Sequence, residues 1–140
     1  MEMTSLKRIL VGVDGSENAL RAVEFAGTLA KGFGAEVTLA LVFTPSDHER
    51  LSGKATYMGK ETKLGGERLR PAETLLGELG VKYRSEVEFG HAAEQLLRLA
   101  KDHDLVVVGT RGLSPFKEAL IGSTSHRLVQ GGKAPVLVVP

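Results

Sequence analysis

Five short apolar runs alternate with helical patterns along this chain, and that alternation limits its fold more than any other feature. The runs are residues 6–13 (LKRILVGV), 35–43 (AEVTLALVF), 81–89 (VKYRSEVEF), 105–108 (LVVV) and 136–139 (VLVV). Each has the length of a strand, and the segments between them carry apolar residues at helical spacing. After the first run, Asp14-Gly15-Ser16 supplies turn chemistry, with Ser16 as N-cap and Glu17 in the first turn of a helix. Ala19, Leu20, Val23, Ala26, Ala30 and Phe33 then recur on one face, and Gly34 closes the helix. Leu69, Leu75, Leu76 and Leu79 mark a second helix that Pro71 should start or kink, with Gly80 at its end. Gly90 leads into a third, with Ala93, Leu96, Leu97 and Ala100 inward, and a fourth runs from Ser123 to about Gln130, stopped by Gly131-Gly132.

Strands alternating with helices predict an α/β fold: one domain over residues 1–140, a parallel five-stranded sheet with helices on both faces, Rossmann-like in three layers. The pattern alone does not give strand order. In the doubly wound order 3-2-1-4-5 the first and fourth strands are neighbours, and ligands bind where the winding reverses. Asp14 would then lie beside Gly109. The third strand alternates Val81, Tyr83, Ser85, Val87 and Phe89 with Lys82, Arg84, Glu86 and Glu88, as a charged edge with one wet face does. The apolar last strand on the other edge invites a second chain, so a homodimer through Val136, Leu137, Val138 and Val139 is expected. Residues 44–66, with Pro45, Gly53, Gly59, Gly65 and Gly66, read as a long loop that gives way to helix after about Thr56.

Composition removes several function classes. The net charge of +1 supplies no field to draw nucleic acid or an anionic membrane. The absence of cysteine removes disulfides, thiolate chemistry and Cys-based zinc sites. His48, His91, His103 and His126 show no metal spacing. No apolar run approaches the roughly 20 residues of a membrane span, and residues 1–8 lack the apolar core of a signal peptide, so a cytoplasmic protein is expected. Tyr57, Met58, Arg68 and Arg70 are most simply packing and solvation, and Lys117 a surface charge.

The chemistry gathers after the fourth strand. Gly109 and Gly112 are separated by two residues, and nine residues later Gly122, Ser123 and Thr124 open a helix. Glycines let main-chain N–H groups approach an anion, and a helix N-terminus offers unpaired N–H donors and partial positive charge. The arrangement suits a chain of phosphates. Ser123 or Thr124 could equally be an N-cap, and the two roles coexist. Arg111, between the glycines, could neutralise phosphate bidentately or be a solvated surface arginine. Asp14 could be a ligand-binding residue or only part of a turn.

The spacing Gly-x2-Gly-x9-Gly-Ser, with ILVGVDGS (residues 9–16), VVVGTRG (106–112), GSTSHRLV (122–129) and APVLVV (134–139), resembles the ATP-binding branch of the universal stress protein family. The resemblance runs the length of the chain. It implies an adenine-nucleotide binder, homodimeric through the last strand and serving stress response or regulation with an unknown protein partner. By that analogy Gly109, Gly112, Gly122, Ser123 and Thr124 hold the phosphates, with Gly12 and Ser125 in the binding set. Asp14 meets the ribose hydroxyls or a phosphate-bound Mg2+ or Mn2+, Val13 and Val42 line the adenine pocket, and the backbone at His91 borders it. His91-Ala92 stands where many members carry a small apolar residue and a proline. No Walker A lysine or Rossmann glycine fingerprint occurs. Phosphoryl transfer also needs a group that positions the nucleophile, and none is evident. ATP binding with at most slow hydrolysis is therefore the expectation. The alternatives are an ATP hydrolase or nucleotidyl-transfer enzyme of the same superfamily, or a dimeric interaction protein that binds no nucleotide.

Overall fold

The computed structural model describes residues 5–45, 47, 63–110 and 123–140. In chain order these form β1 (Arg8–Val13), α1 (Glu17–Phe33), β2 (Glu36–Phe43), α2 (Lys63–Leu79), β3 (Tyr83–Phe89), α3 (Ala92–Ala100), β4 (Leu105–Gly109), α4 (Ser123–Gly131) and β5 (Val136–Val139). The sheet has five strands in the order β3-β2-β1-β4-β5, all paired in parallel. This is the doubly wound order. It makes β1 and β4 neighbours, with Val11 opposite Val107.

Alternation along the strands builds two cores. Ile9, Val11, Leu39, Leu41 and Val107 face α1 and α2, meeting Val23, Leu69 and Leu76. Leu10, Ala40, Val106 and Val108 face the other way, against Leu96 and Leu99 of α3 and Leu128 of α4. Strands buried on both faces explain why their sequence reads as continuous apolar runs. The α1 caps are those expected: the Ser16 hydroxyl accepts the Ala19 N–H at 3.1 Å, and Gly34 sits in the left-handed region at φ 69°.

Three strands start later than the apolar pattern suggests, because their first residues finish other elements. Ala35 N–H donates to the Ala30 carbonyl at 2.8 Å and closes α1, so β2 begins at Glu36. Val81 N–H does the same for α2, donating to Leu76 at 3.0 Å, so β3 begins at Tyr83. Lys7 N–H goes to the Asp104 carboxylate at 2.9 Å, and β1 begins at Arg8. Pro71 neither starts nor ends its helix; α2 begins eight residues earlier, at Lys63, and runs through it. Pro71 and Glu67, whose carbonyl the missing N–H leaves without its helical partner, are both exposed, so water can take the bond. Phe33, expected on the inner face of α1, is 66% exposed. In α3 the fully buried leucines are Leu96 and Leu99, with Leu97 only partly covered.

Candidate functional site

The site is built at the carboxyl ends of β1 and β4, where the winding reverses. At the end of β1 the half-buried Asp14 carboxylate accepts the Ser16 N–H at 2.9 Å, the bond of an Asx turn. Gly15 between them has φ 88°, and the Arg68 side chain lies 3.1 Å from where a Cβ would stand. At the end of β4, Thr110 N–H donates to the Val139 carbonyl at 2.9 Å, carrying the β4–β5 pairing one residue past the strand. Ser125, in the first turn of α4 and 2% exposed, donates its hydroxyl to the Gly109 carbonyl at 2.7 Å. That bond sets the amino-terminal turn of α4 against the end of β4, across from Asp14. An anion entering this crevice would meet a helix N-terminus.

The expected site residues divide into distinct groups. Gly109 and Ser125 are bonded at the end of β4, and Asp14 follows the end of the neighbouring strand β1. Ser125 is committed there through its only proton. Thr124 is half-buried beside it, and Ser123 is the first residue of α4. Arg111, Gly112 and Gly122 lie outside the described residues, and so do residues 46 and 48–62 of the segment expected as a long loop. Val13 and Val42 both lie near strand ends but on opposite faces. Val13 pairs with Leu41 and packs in the α1–α2 core, whereas Val42, one residue on, turns toward the side of α3. Gly12 shares that second face, with Leu96 Cδ1 3.2 Å and Val108 Cγ1 3.5 Å from the place of a Cβ. A side chain at position 12 would press on Leu96. His91 is the exposed N-cap of α3 and makes no side-chain cap bond; the turn before it is tied to β2 by Gly90 N–H donating to the Phe43 carbonyl at 2.9 Å.

Two features of this edge were not legible beforehand. The first is Asn18, whose side-chain amide reaches from α1 to the Val139 carbonyl at 3.1 Å. The second is a buried ion pair. Arg68 Nη2 lies 3.0 Å from Asp47 Oδ1, with side-chain exposures of 10% and 8%. The guanidinium also sits over the Phe43 ring, 5.5 Å from its centroid, and Phe43 stacks on Phe89. Thr44 donates its N–H at 2.8 Å and its hydroxyl at 3.0 Å to the same carboxylate. Burial pushes the Asp47 carboxyl up, but the Arg68 and Thr44 bonds and the Arg68 charge outweigh it, holding the group at about 2 against an ordinary 3.8. Arginine in an open sequence reads as solvated; only the fold brings Asp47 to it.

His103 is 8% exposed and lies at the opposite, amino-terminal edge of the sheet. Nδ1 is 2.7 Å from the Leu99 carbonyl and Nε2 is 2.8 Å from the Thr38 hydroxyl. The carbonyl can only accept, so Nδ1 carries the proton and Nε2 accepts from Thr38. Burial pushes the ring below its usual range, and Arg8 and Arg84 push the same way. It is a structural histidine. Among the described residues no cluster of histidine and carboxylate side chains could hold a metal, and no helix is long and apolar enough to cross a membrane.

The family model described as the universal stress protein family matches residues 5–140. A universal stress protein of Methanocaldococcus jannaschii is 33% identical over 140 residues, covering 95% of this chain and 81% of that one. The universal stress protein YxiE of Bacillus subtilis is 33% identical over 149 residues, covering 94% and 97%. A solved universal stress protein in complex with cAMP superimposes with a TM-score of 0.74 at 28% identity, covering 98% of this chain and 99% of that one. With this match spanning nearly every residue of the sheet and its helices, the chain belongs to the universal stress protein family.

Proposed function

We propose that the protein is an adenine-nucleotide-binding regulatory module that takes ATP with Mg2+ or Mn2+ at the β1–β4 crevice. The observation that carries this reading is the Ser125–Gly109 bond, which brings the amino end of α4 to the end of β4, opposite Asp14. Phosphates would lie against that helix end and Asp14 would meet ribose or the metal, which the phosphates bring with them. The relative solved with cAMP supports an adenine nucleotide as the ligand class. Among the described residues, Asp47 at this edge is engaged by Arg68, leaving Asp14 as the carboxylate nearest the crevice. Asp14 suits ribose or metal better than a base, so hydrolysis is at most slow.

The module works in the cytoplasm as a homodimer, with a protein partner still to be identified. β5 is an outer strand of the sheet, and pairing it with its copy would cover that edge. Light scattering at high micromolar concentration should give twice the chain mass.

Binding is tested by melting. ATP with Mg2+ at a hundredfold excess over its dissociation constant should add about 2.7 kcal/mol of stability. Melting unchanged at millimolar ATP, together with no adenosine nucleotide released on denaturing freshly purified protein, would remove the reading.

A further inference from the structure

Gly109 opens the spaced glycine motif, yet the space beside its Cα is already filled from within the protein. A Cβ there would overlap the Asn18 amide, with Cγ 2.6 Å and Nδ2 3.1 Å away. Gly109 is not among the residues with positive φ, so its backbone conformation does not call for glycine. The requirement comes from α1. Asn18, the second residue of that helix, slides its flat amide against the Gly109 Cα and donates to the Val139 carbonyl at 3.1 Å. Thr110 N–H donates to the same oxygen at 2.9 Å. The Gly109 carbonyl, in turn, accepts from Ser125 at 2.7 Å. Four elements, α1, β4, β5 and α4, therefore meet around one peptide turn.

Asparagine suits this place for a reason unrelated to helix formation, at which it is only middling. A leucine has no donor for Val139. An aspartate would set a carboxylate against a carbonyl oxygen. We infer that Asn18 is a positioning residue for the nucleotide site: its amide fixes the direction in which Thr110 leaves the sheet, and Gly109 is glycine in order to admit it. This rests on the nucleotide reading above. It also changes the meaning of the motif, because the first glycine then answers to an internal side chain and not to a phosphate.

The test combines calorimetric titration with ATP and Mg2+ and hydrogen exchange of single amides in the full chain. Asn18→Asp keeps the volume and loses the donor. It should weaken ATP at least tenfold and speed exchange at Thr110 at least tenfold, while Val11 in the centre of β1 changes less than threefold. Gly109→Ala should also weaken ATP at least tenfold. Adding Asn18→Gly to Gly109→Ala should recover at least threefold of that loss, although glycine in α1 lowers the melting temperature further. ATP affinity of Asn18→Asp within twofold of the parent, or a double variant weaker than Gly109→Ala, overturns the inference. If the parent chain binds no adenine nucleotide, the nucleotide reading fails by itself. Exchange at Thr110 then decides whether Asn18 fixes the turn: acceleration upholds that part, and no change removes it.

Discussion

The two edges of the sheet are finished by different means. At the amino-terminal edge, side chains close the ends of the strands. Asp104 accepts the N–H groups of Lys7 and Arg8 at 2.9 and 3.0 Å, His103 bridges Leu99 and Thr38, and Glu36 draws Arg8 and Lys82 to 3.7 Å. At the carboxyl-terminal edge, the part over β2 is closed by an ion pair, Asp47 with Arg68. Over β1 and β4 the Asn18 and Ser125 side chains bond main-chain carbonyls, of Val139 and Gly109, and Gly15 and Gly109 leave room for Arg68 and Asn18. The glycines show the same contrast. Gly34 has φ 69° and nothing within 4 Å of a built Cβ, whereas Gly15 has φ 88° and Arg68 pressed beside it. One edge uses glycine to end a helix; the other uses it to bring a neighbour close. The difference teaches where to look for a ligand: where side chains hold main-chain carbonyls at the strand ends beside a helix N-terminus.

The largest expected effect is on the closed part of the carboxyl edge. Asp47→Ala strands the buried Arg68 cation and removes the acceptor of both Thr44 donors, so it should cost about 3 kcal/mol in urea unfolding. Acid should reveal the same group. Its carboxyl is held near 2 in the fold against 3.8 when free, so its contribution is whole above 3.8 and fades as pH falls through that value toward 2. The amount lost is about 2 kcal/mol, and Asp47→Ala should abolish that part of the slope. A variant as stable as the parent would mean that the ion pair does not close this corner.

A middle effect belongs to the amino edge. Thr38→Val removes the donor to His103 Nε2 and should cost about 1–2 kcal/mol. His103 is held below 6.5 in the fold, so the unfolded chain takes up the proton first as pH drops. Its contribution is complete above 6.5 and erodes below it. Urea midpoints at a series of pH values from 7.5 to 5.5 (roughly, bracketing the ordinary histidine range) should decline, and they should not decline if His103 were exposed.

The smallest effect separates the two kinds of glycine. Gly34→Ala meets only the backbone penalty of a left-handed residue, about 1 kcal/mol, and should leave ATP affinity unchanged. Gly15→Ala meets that penalty plus the Arg68 side chain at 3.1 Å, and should lower stability more and ATP affinity as well. Equal effects of the two on both measurements would erase the contrast between the edges.

The elements were legible because their signals are local. Ser16 and Gly34 bracket α1, the runs of β4 and β5 start where expected, and β1 and β2 start only one or two residues late. The strand order followed once the doubly wound arrangement was adopted. Pro71 does not start its helix, which runs through it from Lys63; the start lies upstream, where the sequence carries no comparable signal. Asn18 and the Asp47–Arg68 pair were hidden for another reason. Each acquires its role from a partner distant in sequence, 121 residues away for Asn18 and 21 for Arg68, and residue type alone does not reveal such pairings. An asparagine in the first turn of a helix, where better helix formers were available, was the one trace that Asn18 left.

The bond from Asn18 to Val139 also sets an order on biosynthesis. A ribosome must add 121 residues after Asn18 before its acceptor exists, which takes about ten seconds at ordinary elongation rates. Most of the α1–α2 core can gather during that interval, but the crevice cannot be locked. The turn around Gly109 is therefore locked only after Val139 has been made, well after the α1–α2 core can begin to fold.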